Sequence, residues 1–311
     1  MDLPKKPEFL KYFPSVTTQQ WEEKIHEDLK GADYEKRLIW NTPENIKVKP
    51  YYRAEDLASL PHTHSLPASP PFVRGNRVAD NNWEIRQDIP ETDPAAASKM
   101  ALDALDRGAE SLGFDLSAIS ELSELKTMLH GIDPAKNPLH LMHARSFSGL
   151  SAWLCEMDAH TSWNGSFAFD PLSDLLRFGK SAQTDEDMFD EAEKLIRTGL
   201  GQLPGFRMIS IDAAAVHNAG GTLVQELGIA LAQAAAYFNA LTDRGLTIDE
   251  ISRRMQLNLA VGSDYFLEIA KFRAARLLWH KLVSYYEPAA ETSGQIFIHA
   301  RSSSWNKSMY D

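Results

Sequence analysis

Acids, histidines and arginines recur at comparable points along this chain. Arg86-Gln87-Asp88, Asp115, His143-Ala144-Arg145, Asp170, Asp212, Ser263-Asp264 and His299-Ala300-Arg301-Ser302 each end or follow a short apolar run. Where apolar strands stop, such residues can form the rim of a ligand pocket. They can equally cap the helix that follows. His217 is the best single candidate for acid–base or hydrogen-bonding chemistry, because an imidazole titrates near neutrality. It stands in a loop of small residues between Asp212 and Gly221, which lets a ligand approach a helix amino terminus, a place that favours anions. A helix-capping or buried, hydrogen-bonded histidine fits the same spacing. Arg253-Arg254 reads as a solvated helix end or as a phosphate contact.

Other chemistries lack their patterns. There is no phosphate-binding Walker loop and no dinucleotide fingerprint, and Gly149-Leu150-Ser151-Ala152-Trp153 breaks the nucleophile-elbow motif. His62 and His64 sit in a stretch rich in Pro and Ser without partners at ligand spacing. His140 and His143 are an odd number apart, so they cannot share a strand face. No metal site is expected. The single cysteine, Cys155, excludes an internal disulfide, and its apolar helical surroundings predict a buried structural thiol.

The elements that must position these residues come in a regular series. Strands are predicted at 83–87, 111–114, 139–142, 166–169, 206–211, 256–261 and 295–299, each followed by helix up to the last. Asp93-Pro94 starts one helix and Gly108 ends it. From Gly220 to Asp243 the apolar residues Leu223, Leu227, Leu231, Ala234, Phe238 and Leu241 form one continuous face. Seven alternating units predict a parallel α/β sheet with right-handed crossovers. The spacing leaves open a doubly wound sheet or a (β/α)8 barrel one unit short. Phe114, Met142 and Phe169 would favour a filled interior if they point inward. Residues 1–75 differ: a helix from Thr17 to Leu29, short extended pieces, and then Pro and Ser, with Trp21, Trp40, Tyr51 and Tyr52 to bury. They read as an arm, and 76–311 as the domain.

The 311 residues are 43% apolar, enough for a sizeable core. A net charge of −11 argues against general nucleic-acid or anionic-membrane binding, but allows an anionic ligand in a local basic pocket. The amino terminus does not read as a signal peptide, and no apolar run has spanning length. A soluble, cytoplasmic protein is expected.

Several long motifs, in order, resemble the methylmalonyl-CoA mutase family. They are Val48-Lys49-Pro50-Tyr51-Tyr52, Arg74-Gly75, Trp83 to Gln87, His217-Asn218-Ala219-Gly220-Gly221, Glu268 to Trp279 and Ser303-Ser304-Trp305-Asn306. The resemblance implies a TIM-like (β/α)8 barrel, here truncated after strand seven, with an extended amino-terminal arm. It implies rearrangement between methylmalonyl-CoA and succinyl-CoA with adenosylcobalamin. Arg86, His217 and Arg254 match substrate-site positions of the family. Asn81, Glu84, Asp88, Val216 and Gln256 depart from the pattern of its catalytic chains.

That mixture is similar to the family's small, non-catalytic subunit. It implies a heterodimer with a large catalytic subunit that holds most of the cofactor, and at most weak acyl-CoA binding here. The cobalt-ligating Asp-x-His-x-x-Gly of the family is approached only by Asp158-Ala159-His160-Thr161-Ser162-Trp163, which has Trp for Gly. The alternative is a competent acyl-CoA mutase barrel using a cobalamin domain in trans.

Overall fold

The computed structural model describes residues 13–157, 162–180, 183–305 and 307. The chain forms two compact units, Met1–His64 and Ser65–Asp311.

In the smaller unit the helix Thr18–Leu29 opens on Thr17. The Thr17 hydroxyl accepts the Gln20 amide, and Gln20 Oε1 accepts the Thr17 amide at 3.0 Å. This reciprocal capping satisfies two of the donors a helix start leaves free. The helix stops at Lys30, in the left-handed region. The helix Tyr34–Leu38 and a two-residue antiparallel ladder, Trp40–Asn41 with Lys47–Val48, follow. Trp21 and Tyr51 lie 5.6 Å apart, and Trp21, Trp40 and Tyr52 are all exposed.

The larger unit is a mixed α/β body whose strands are all parallel. Five strands run side by side: Arg86–Ile89, Ser111–Asp115, Leu139–Met142, Asn164–Phe167 and Gly205–Arg207. Three more form Ile209–Asp212, Met255–Val261 and Phe297–Ser302. Gly205–Arg207 and Ile209–Asp212 are two halves of one strand, broken at Met208. Met208 and Ile209 both donate their amides to the Arg254 carbonyl, at 2.7 and 3.2 Å. The seven predicted strands are therefore present, displaced by a few residues at their ends, and His299 to Ser302 lie within the last strand rather than beyond it.

Register sorts the side chains. Asp88, Gly113, His140, Ser166 and Arg207 are successive partners across five strands. Ser210, Gln256 and Phe297 form a second row, and Asp212, Asn258 and His299 a third. These rows share the inner face, since successive residues in a strand point to opposite sides. A Cβ on Gly113 would fall 2.0 Å from Asp88 Oδ1 and 2.7 Å from Arg86 Nη2, so only glycine fits there.

The other face carries Leu112, Phe114, Leu139, Leu141, Phe167, Phe206, Ile211, Leu257 and Leu259, all fully buried in one core with the helices. Burying each such side chain stabilises by about 1.5–3 kcal/mol. This corrects one expectation. Phe114 faces the helices, and Phe169 packs on Phe147 of the helix Phe147–Met157, so of the three bulky residues only Met142 points inward.

Helix starts follow their caps. Asp93 accepts from Ala96 ahead of Pro94–Asp106, and Thr222 with Gln225 closes a reciprocal cap ahead of Leu223–Asp243. Cys155 is only half-buried, and its thiol donates to Gln202 Oε1 at 3.1 Å, a wetter setting than its neighbours predicted.

Candidate functional site

The inner face of the strands is polar, and its charged side chains bond largely to one another. Arg86 Nε donates to Asp88 Oδ1 at 2.6 Å, Nη2 to Met142 Sδ at 3.1 Å, and Nη1 lies 3.4 Å from His299 Nδ1. Arginine only donates, so that imidazole nitrogen must accept. Burial, reinforced by the Arg86 charge, pushes His299 down to about 3. His140 stacks on His299, with ring centres 6.3 Å apart, and its Nδ1 lies 2.8 Å from Ser166 Oγ. Burial and Arg86 also hold His140 well below the usual imidazole range.

Across the same face the Arg207 guanidinium lies 3.5 Å from the centre of the Phe297 ring. Its Nε donates to Gln256 Oε1 at 3.1 Å, and Gln256 Nε2 donates to Asn258 Oδ1 at 3.1 Å. Burial lowers Arg207 to about 10. Stacking on a ring and one hydrogen bond through Nε are what hold this arginine on the inner face.

A second cluster lies at the carboxyl end of Met255–Val261. Glu226 Oε1 accepts the Ala260 amide at 2.7 Å, and Glu268 Oε1 accepts the Gly262 amide at 2.8 Å. Between them Lys271 Nζ lies 2.8 Å from Glu226 Oε2 and 2.7 Å from Glu268 Oε2, and donates to the Ala260 carbonyl at 2.7 Å. All three side chains are buried. His217 stands beside them, with Nδ1 3.7 Å from Glu226 Oε2 and both ring nitrogens enclosed without a hydrogen-bond partner. A Cβ on Gly262 would fall 3.3 Å from His217 Cε1. The cluster can hold an imidazole against an anionic wall at a strand end, the position from which side chains reach ligands in parallel α/β folds.

Nearby, Asp170 accepts the Asp212 amide at 2.8 Å, the Ser173 amide at 3.3 Å and the Tyr237 hydroxyl at 3.2 Å. Burial pushes its carboxyl up to about 6. Asp212 pairs with Arg177. His143 is exposed, with Nδ1 2.9 Å from Asp115 Oδ2.

The structure does not bring the three candidates together. Arg86 is the first residue of its strand, facing inward. His217 is in the short helix Ala214–Asn218, against the carboxyl end of Met255–Val261. Arg254 precedes the amino end of that strand, donating to the Phe206 carbonyl at 3.3 Å and also to Pro204. At 3.3 Å per residue, roughly 25 Å of strand separates Arg254 from the His217 neighbourhood. Asp88 and Gln256, two of the departures, hold Arg86 and Arg207 in place. Glu84 raises Arg207 from a distance, Val216 packs by Gly221, and Asn81 lies near Gly262.

The spacing of the sequence had passed over Arg207 and the Glu226–Lys271 pair. Their signal is a charge inside an apolar run. The Asp158 to Thr161 part of the cobalt-like motif, and Asn306 of the last motif, lie outside the described residues. In the rest of that motif, Asn218 Oδ1 accepts the Ser304 amide at 2.9 Å. Among the described residues no three metal-ligating side chains come together.

Parallel strands, helices outside, a polar inner face and a charged cluster at the strand ends define an α/β protein with an enclosed polar centre. A family model described as Methylmalonyl-CoA mutase matches residues 41–117 and 117–311. The methylmalonyl-CoA mutase small subunit of Porphyromonas gingivalis is 38% identical, covering 98% of this chain and 50% of that protein. The small subunit of Streptomyces virginiae is 30% identical, over 91% of this chain and 46% of its own length. The large subunit of the same organism is 26% identical, over 96% and 45%. The chain belongs to the methylmalonyl-CoA mutase family. It spans about half the length of these curated relatives.

Proposed function

We propose that this chain is the barrel portion of a methylmalonyl-CoA mutase small subunit, which stabilises a large catalytic subunit and is inactive alone. The observation that carries the non-catalytic part is the occupied inner face. Arg207 stacked on Phe297, and Arg86 tied to Asp88, Met142 and His299, occupy that face and are read as closing the interior to a substrate chain. Two of the residues that secure them, Asp88 and Gln256, are among the five that depart from the catalytic pattern. Relatives named as small subunits support the same reading.

The strands are read as seven of a TIM-like (β/α)8 barrel, because inner-face side chains of the first and last strands meet. Residues 1–75 are read as the arm that contacts the large subunit, their exposed aromatics supplying the apolar surface. Arg86, His217 and Arg254 are read as remnants of a substrate site, binding acyl-CoA weakly at most.

Adenosylcobalamin, the family's cofactor, supplies radical chemistry when bound. The histidines of the inner face and of the charged cluster do not fit its cobalt, because His217, His140 and His299 are enclosed and offer it no open nitrogen. The cofactor is accordingly assigned to the partner. No helix among the described residues is long and apolar enough to cross a membrane, and a cytoplasmic setting is proposed. The test is turnover of methylmalonyl-CoA with adenosylcobalamin by this chain, by the large subunit, and by both together. Activity only with the large subunit, raised by this chain, is the expected result. Turnover by this chain alone overturns the proposal.

A further inference from the structure

A cleft of about 640 Å³ lies in the larger unit, outside the rows of inner-face side chains. One wall is a single face of the helix Tyr265–Tyr285: Tyr265, Glu268, Ile269, Phe272, Arg273 and Arg276. The other is formed by Val73, Arg74, Gly75 and Asn81, and the floor by Val261, Gly262 and Ser263. The size is that of a small-molecule site.

Its charge is unbalanced. Three arginines line it, and the one acid that does, Glu268, is already committed to Lys271 and the Gly262 amide. Arg276 is half-buried, and burial lowers its basicity with no carboxylate to offset it. Among the described residues neither Arg273 nor Arg276 makes a hydrogen bond or ion pair, and Arg74 donates only to the Ser65 carbonyl at 3.3 Å. In a chain with a net charge of −11, carboxylates are plentiful, so three guanidinium groups on one cavity with no carboxylate partner among the described residues are conspicuous. The amino end of the helix opens on the same cleft, which adds to the positive potential. The remaining lining, Phe272, Tyr265, Ile269 and Val73, is aromatic and apolar.

We propose that this cleft binds a phosphate-bearing small molecule with a flat ring, of the nucleotide class. Guanidinium groups take phosphate oxygens in paired, charge-assisted hydrogen bonds. The ring lies against Phe272 and Tyr265. The inference does not rest on the role proposed for the inner face.

Isothermal titration of the whole chain with pyrophosphate and with AMP, at low and at moderate salt, tests it. Saturable binding of both below about 1 mM is expected, weakening with salt. Arg276→Gln should weaken it about tenfold, the loss of one charge-assisted contact. Arg273→Gln, an exposed change that leaves folding intact, should weaken it in the same direction. Arg145→Gln, away from the cleft, should not. Absence of saturable binding, or binding indifferent to Arg273→Gln, overturns the proposal. So does binding of polyglutamate without binding of pyrophosphate, which would assign the cleft to an acidic polypeptide instead.

Discussion

Arg86 and His299, 213 residues apart, meet at 3.4 Å on the inner face of the strands. The contact joins the first strand of the larger unit to the last. Because His299 Nδ1 accepts from a cation, the ring is kept neutral, and burial acts in the same sense. Arg86→Met removes the cation and leaves the Asp88 carboxylate, which favours imidazolium. The pKa of His299 should therefore rise from about 3, yet stay below the ordinary value of 6.5, because burial is the larger cause. Titration of the histidine ring protons by NMR reads this directly. An unmoved His299 would mean that the two side chains do not meet.

Lys271 neutralises two buried carboxylates, at 2.8 and 2.7 Å. Removing one member of such a group leaves an uncompensated interior charge, at a cost of about 3–5 kcal/mol. Lys271→Met should lower the urea midpoint accordingly. Glu226→Gln added to Lys271→Met should recover part of the loss, since one orphaned charge is then removed. If the double variant is as unstable as the sum of its parts, the cluster is not coupled.

The fold was largely legible, and the site only partly. Leu112, Phe114, Leu139 and Leu141 announce strands because short apolar runs between helical periods admit little else. What they do not announce is direction. In Met255–Val261 six successive residues are buried, so burial does not betray the polar positions Gln256 and Asn258 as inward-facing. Register decides that, and register depends on pairing with Ser210 and Phe297 in two other strands. Arg254 illustrates the same limit. Its place in a motif resembled a site residue, while a seven-residue strand separates it from His217. Glu226 and Lys271 were visible as letters inside helical runs, but their pairing over 45 residues needed the packing of two helices on one strand end.

Asp170 makes stability depend on pH in an identifiable window. Its folded pKa, about 6, lies above its ordinary 3.8 because it is buried. The folded state therefore holds the proton more tightly than the unfolded state does. That contribution is fully present below about 3.8 and is lost as pH rises through 6, amounting to about 2–3 kcal/mol. His299 acts in the opposite sense. Its folded pKa, about 3, lies below 6.5, so its contribution is present above 6.5 and is lost as pH falls toward 3. Asp170→Asn should flatten the rise-side loss between about pH 4 and 6 and leave the histidine slope in place. Urea unfolding across pH 3–7 distinguishes the two, and an unchanged profile in the variant would remove Asp170 as its source.

Gln256 decides whether the inner face can be opened by one change. It accepts from Arg207 and donates to Asn258, but the Phe297 ring holds Arg207 from the other side at 3.5 Å. Gln256→Ser takes away the acceptor while leaving the ring. An unsatisfied buried donor costs about 1–3 kcal/mol, so the variant should unfold at lower urea. Arg207 should nevertheless remain stacked, and acyl-CoA binding should not appear. Phe297→Ala added to Gln256→Ser removes both restraints, and here a weak acyl-CoA affinity should emerge in calorimetry if the plug alone had blocked the interior. Acyl-CoA binding by the unaltered chain at micromolar levels would show instead that the stacked arginine is no plug at all.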